Sequence, residues 1–170
     1  MIRIGIDLGG TKIAGIAIGG DEEILAVARI PTPRGDYTGS ISAIRAMVHE
    51  LAETAGSSDF TVGIGIPGSV SPLTGRVQNA NSTWINGQHF QNDIELALGC
   101  SVRLANDANC LAVSEAYDGA GSDATSIYVA NSNVYQESVL RIPWQHADDE
   151  RISRIQTSGG AWQRDIAVGG

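Results

Sequence analysis

The stretch that decides the fold runs Ile2-Arg-Ile-Gly-Ile-Asp-Leu8, Gly9-Gly10-Thr11, Lys12-Ile-Ala-Gly-Ile-Ala-Ile18. In Ile2–Leu8 apolar residues alternate with Arg3, Gly5 and Asp7, which predicts a strand with one buried face. Gly9-Gly10-Thr11 is a turn signal. Lys12 to Ile18 resumes a β-like run, Gly19-Gly20-Asp21 turns it again, and Glu23 to Ile30 supplies a third strand. Three strands joined by short glycine-rich turns predict an antiparallel meander.

Working outward, Pro31, Pro33, Gly35 and Asp36 close the meander. Residues 37–55 carry Ile41, Ile44, Met47, Val48 and Leu51 at helical spacing, and Gly56-Ser57-Ser58 ends that helix. Phe60 to Ile66 predicts a strand, and a strand after a helix implies a parallel crossover into the same sheet. Residues 67–86 are polar and read as a loop. Helix is expected at 92–98, strand at 102–105, helix at 107–117 and strand at 126–130. The order βββαβαβα, then β, is α/β with a mixed sheet. Beyond Ala130 apolar residues are scattered among Asn, Gln, Arg and Asp, so the chain divides into 1–130 and a divergent tail, 131–170.

The 170 residues suffice for one core and a small appendage. An apolar fraction of 42% with 18% charged residues excludes a wholly disordered chain. The net charge of −8 argues against nucleic acid or an anionic membrane as partner. Cys100 and Cys110 cannot build a disulfide framework. No signal peptide or membrane-length apolar run is visible, so a cytoplasmic location is expected.

Three polar clusters stand out. In the first, Asp7 ends a strand and Gly9, Gly10, Thr11 and Lys12 follow. Glycines let backbone N–H groups converge on an anion, Thr11 and Lys12 add side-chain donors for phosphate, and Asp7 suits a hydrated Mg²⁺. The spacing is not that of a Walker A loop, and Gly-Gly equally makes a plain hairpin turn. In the second, Asn106-Asp107-Ala108-Asn109 opens a helix. A carboxylate there can take a proton from a substrate hydroxyl. Asn and Asp are also preferred helix caps, and the roles are compatible because a helix N-terminus favours negative charge. In the third, Pro67-Gly68-Ser69 and Asn79-Ala-Asn-Ser-Thr-Trp84-Ile-Asn86-Gly87 set amides and hydroxyls beside an aromatic ring, which suits a polyol. A surface loop with Asx-turns reads the same way. His49, His89 and His146 lack metal-ligand spacing, and Trp144 and Trp162 read as packing residues.

Taken together, Ile4-Gly-Ile-Asp-Leu-Gly-Gly-Thr-Lys12, Gly63-Ile-Gly-Ile-Pro-Gly68, Asn79-Ala-Asn-Ser-Thr-Trp-Ile-Asn-Gly87 and Arg103-Leu-Ala-Asn-Asp-Ala-Asn-Cys-Leu-Ala-Val-Ser-Glu115 resemble the ROK family of repressors and sugar kinases, most closely its fructokinase branch. The resemblance covers residues 1–130. It implies a lobe like those of actin and the hexokinases (ribonuclease H-like), with ATP held between two lobes. It places Gly9, Gly10, Thr11 and Lys12 on the ATP phosphates and Asp7 on Mg²⁺. Gly68, Asn81, Asn106 and Asp107 match sugar-contacting positions, and Asp107 matches the catalytic base. The implied reaction is ATP-dependent phosphorylation of a hexose, with fructose the first expectation and glucose or an amino sugar the alternative.

After residue 130 the sequence departs from that pattern. Ala130-Asn-Ser-Asn-Val-Tyr135 stands where the family has a second glycine-rich phosphate loop, and its E-x-G-H and cysteine-rich zinc motifs do not follow. Weak or absent kinase activity is therefore expected of this chain alone, together with self-association through uncovered apolar surface. A lobe that binds sugar without catalysis is the competing reading. A repressor fits less well, because the acidic chain opens directly on its first strand.

Overall fold

The computed structural model describes residues 1–117 and the strands 126–130 and 137–141. It divides into two compact units, Met1–Asp107 and one beginning at Ala108. The first contains β1 (Ile2–Leu8), β2 (Lys12–Ile18), β3 (Ile24–Pro31), α1 (Tyr37–Thr54), β4 (Phe60–Ile66), the short strands β5 (Ser69–Val70) and β6 (Val77–Gln78), a 3₁₀ turn (Thr83–Ile85), α2 (Phe90–Leu98) and β7 (Val102–Asn106). Helix α3 (Asp107–Tyr117) starts on its last residue. In the second unit β8 (Ser126–Ala130) and β9 (Glu137–Arg141) pair antiparallel.

The main sheet has the order β3-β2-β1-β4-β7. The meander is antiparallel, whereas β1–β4 and β4–β7 are parallel, as the crossovers require. Alternation in β1 sends Ile2, Ile4, Ile6 and Leu8 into the core and leaves Arg3 and Asp7 outside it. Val62, Ile64 and Ile66 of β4 do the same. Against them pack Ile44, Met47, Val48 and Leu51 of α1 and Phe90 and Ile94 of α2. The close seat of α1 depends on Gly15: a Cβ there would lie 2.7 Å from both Leu51 Cδ1 and Met47 Sδ.

Both ends of α1 carry stop signals. Asp36 Oδ1 accepts a 2.8 Å hydrogen bond from the Gly39 N–H, capping the first turn. At the other end Gly56 N–H donates to Glu53 O and Ser57 N–H to Ala52 O, with Gly56 at φ 67°.

Three expectations need correction. The stretch 67–86 is not a plain loop; it folds into the β5–β6 pair and the 3₁₀ turn, with Asn79 at φ 57°. Helix α2 begins at Phe90 rather than at residue 92, because Phe90 is drawn wholly into the core. A strand, β9, forms within the tail where no element was expected. Trp144, His146 and Trp162 lie outside the described residues. No described helix is long and apolar enough to cross a membrane.

Candidate active site

The parallel strands β1, β4 and β7 all point their carboxyl ends the same way. Register puts Asp7 beside Gly65, Gly65 beside Ala105, and Ile66 beside Asn106. At about 4.8 Å per strand, Asp7 and the end of β7 stand roughly 10 Å apart across the sheet. From β1 the chain turns toward β2 and β3 on one side, and it returns through α1 to β4 on the other. Such a reversal at the carboxyl ends of parallel strands is the usual place for a ligand in this kind of sheet. The three polar clusters therefore share one edge of the sheet: Asp7 to Lys12 follows β1, Pro67 and Gly68 follow β4, and Asn106-Asp107 ends β7.

The turn after β1 is tight, with Gly9 N–H donating to Lys12 O at 3.0 Å. It is a hairpin turn and an open surface at once, since Gly10, Thr11 and Lys12 are all exposed. Behind it lies residues 32–34. Thr32 Oγ1 donates to Gly9 O at 2.8 Å, Arg34 Nε to Gly10 O at 2.8 Å, and Thr32 N–H to Thr11 O at 3.0 Å.

Gly68 holds the centre. Its φ is 111°, and a Cβ would lie 2.6 Å from Gln78 O and 2.8 Å from Ala80 N. Its own carbonyl accepts a 2.9 Å bond from Asn106 Nδ2, which ties the ends of β4 and β7 together. Asn86 turns back on the loop: Oδ1 accepts from Ala80 N–H and Nδ2 donates to Ala80 O, both at 2.9 Å. The amides of this loop therefore divide by role, Asn86 serving the backbone while Asn81 faces solvent. Trp84 Nε1 donates to Ser40 Oγ at 3.1 Å, anchoring the loop to the first turn of α1. Tyr37 stacks edge-on to Phe90 and donates to Asp93 Oδ2 at 2.5 Å. Burial and that bond hold the Tyr37 hydroxyl far above its ordinary pKa.

The electrostatics centre on Asp7. Partial burial pushes its carboxyl above the usual range, the negative charge of Asp107 pushes it further, and Lys12 pulls the other way. The repulsion between the two carboxylates is what a hard cation would relieve, and the Lys12 ammonium already offsets part of it. Mg²⁺ is commonly held by one or two carboxylates plus substrate phosphates, so its fit here requires no larger cluster. Among the described residues no group of three or more His, Cys, Asp or Glu side chains converges on a metal site.

The structure thus places all the expected site residues, Asp7, Gly9, Gly10, Thr11, Lys12, Gly68, Asn81, Asn106 and Asp107, along the carboxyl edge of the sheet or in the loops rising from it. Thr32, Arg34 and Ser40 were not singled out for a role, because their work is done through bonds to distant backbone or to a distant indole, whereas Asn86, read with the polyol loop, braces the backbone of Ala80. The Thr-Pro-Arg run after β3 was the one available signal.

Comparison with known proteins agrees with this architecture. The ROK family model matches residues 3–131. An N-acetyl-D-glucosamine kinase from Vibrio cholerae is 38% identical over 123 residues, which are 72% of this chain and 40% of that protein. Another from Yersinia enterocolitica is 40% identical over 114 residues, 67% of this chain and 37% of the relative. The crystal structure of a ROK family glucokinase from Streptomyces griseus in complex with glucose and AMPPNP superposes with a TM-score of 0.67 at 31% identity, covering 75% of this chain and 40% of that one. The chain spans about 40% of the length of the V. cholerae relative. The chain belongs to the ROK family, and its mixed α/β sheet is the actin-like hexokinase fold.

Proposed function

We propose that this chain forms the first lobe of an ATP-dependent sugar kinase. In this reading Asp107 accepts the proton of a sugar hydroxyl as that oxygen bonds to the γ-phosphorus and the bond to ADP breaks. Gly9, Gly10, Thr11 and Lys12 hold the phosphates by backbone N–H groups, a hydroxyl and an ammonium. Gly68, Asn81 and Asn106 shape and contact the sugar. Asp7 would hold Mg²⁺, which, when bound, offsets the charge of the triphosphate. Phosphoryl transfer relies mainly on positioning and electrostatics, which is what a rigid sheet edge supplies.

The observation that carries the reading is the strand register, which sets Asp7 at the end of β1 and Asn106-Asp107 at the end of β7 on the same edge of the sheet, two strands apart. In this reading a base on the sugar side and a carboxylate on the phosphate side share that edge. The N-acetyl-D-glucosamine kinases of V. cholerae and Y. enterocolitica and the S. griseus glucokinase favour the amino-sugar or glucose alternative over fructose, the first expectation.

Calorimetry of this chain with N-acetylglucosamine, glucose and fructose, with and without Mg–ATP, tests the proposal alongside an ADP-release assay. Binding of one sugar and of Mg–ATP is expected. Any turnover should fall by about 10²–10⁴ in Asp107→Asn while sugar binding survives. Binding of both ligands without turnover would mark a binding lobe, and binding of neither would end the reading.

A further inference from the structure

We propose that Thr32 and Arg34 are positioning residues for the phosphate turn, an inference that rests on the kinase reading above. All peptide bonds described are trans, and a trans unit sets its C=O and N–H in opposite directions. The carbonyl of Gly9 shares its plane with the Gly10 N–H, and that of Gly10 with the Thr11 N–H. Thr32 Oγ1 holds the first carbonyl and Arg34 Nε the second, each at 2.8 Å. Drawing both oxygens toward residues 32–34 directs the Gly10 and Thr11 N–H groups away from that segment, as a pair. Neither N–H donates a hydrogen bond within the described residues. Two adjacent, parallel, uncommitted donors are the backbone arrangement that takes an anion.

Glycine explains why the restraint is needed. Two glycines in a row leave the planes free to rotate, and freezing them only at the moment of binding would cost conformational entropy. Thr32 is buried, so its hydroxyl is held in place before any ligand arrives. Arg34 is exposed and makes no ion pair among the described residues, so its guanidinium also keeps positive charge beside the turn.

The test uses the full chain. Thr32→Val keeps the shape and deletes the hydroxyl; Thr32→Ser restores it. Thr32→Val should weaken Mg–ATP about 5–10-fold, the equivalent of one hydrogen bond, while sugar affinity stays within twofold. Thr32→Ser should return nucleotide affinity to within twofold of wild type. In the free protein, the ¹H–¹⁵N signals of Gly10 and Thr11 should move in Thr32→Val and return in Thr32→Ser. Arg34→Met, a surface change, should weaken Mg–ATP in the same way and serves if Thr32→Val fails to fold. Unchanged nucleotide affinity, or equal loss of sugar and nucleotide affinity, would overturn the inference. If wild type binds sugar but no Mg–ATP, the nucleotide half of the kinase reading fails. In that case unmoved Gly10 and Thr11 signals would overturn the positioning role separately.

Discussion

The indole Nε1 of Trp84 donates a 3.1 Å hydrogen bond to the hydroxyl of Ser40, 44 residues earlier in the chain. Ser40 is wholly buried and donates its own hydrogen bond to Asp36 O at 2.8 Å, so the 79–87 loop is fastened to the N-terminal turn of α1. Ser40→Ala removes the acceptor and leaves the indole without its partner. A stability loss of about 1–2 kcal/mol is expected. Sugar affinity should fall by a few-fold with Mg–ATP affinity unchanged, as calorimetry can show. Equal loss for both ligands would mean that the bond supports the fold generally.

Asp7 sets a stability trade-off with a defined sign. Its carboxyl is raised in the fold, so between the unfolded pKa and the folded one the native state holds a proton that the unfolded chain has lost. Stability therefore falls as pH rises through that window and is level above it. Asp7→Asn should melt higher than wild type at neutral pH. The gap should close below the ordinary carboxylate range. The same variant should lose Mg²⁺-dependent nucleotide binding. A variant that melts lower than wild type at neutral pH would contradict this account.

Asp107 contributes to the raised pKa of Asp7, so Asp107→Asn should lower it. A side-chain carboxyl titration by NMR reads this directly, with no ligand present. An unmoved Asp7 titration would place the two groups too far apart to act in one site.

Gly68→Ala combines a φ of 111° with a Cβ 2.6 Å from a backbone oxygen. Left-handed strain and overpacking each cost about 1–3 kcal/mol. A loss of about 3 kcal/mol or more is expected by thermal unfolding, together with weaker sugar binding as the Asn106–Gly68 tie shifts. A loss below 1 kcal/mol would show that the loop yields easily.

Asn86→Ala deletes both bonds to Ala80 while leaving Asn81 in place. The expected cost is about 1–3 kcal/mol, mostly from freeing the backbone of a buried residue. Reduced sugar affinity should follow through disorder of the loop, visible as faster amide exchange at 79–82.

Much of this was legible in the residues. The Ile2–Ile18 alternation predicted two strands that the structure contains, and the spacing of Ile44, Met47, Val48 and Leu51 predicted α1 and its buried face. The β5–β6 pair was not legible, because two residues per strand hold no period and its register comes from the packing of Gly68 against Gln78 and Ala80. The start of α2 was missed because His89 makes no side-chain cap, so nothing local announces Phe90. At the site, polar residues at strand ends could be found from turn signals. Which amide serves the loop and which faces solvent could not, since Asn81 and Asn86 differ only in what lies across from them.

One feature bears on handling the protein. The Gly19–Glu23 turn joins β2 to β3 at the opposite end of the sheet from Asp7 and Gly68, and Gly20, Asp21 and Glu22 are exposed. A fluorophore, affinity tag or surface linker spliced there would sit at the end of the sheet away from Asp7 and Gly68, so an immobilised sample should report ligand capture as faithfully as one free in solution.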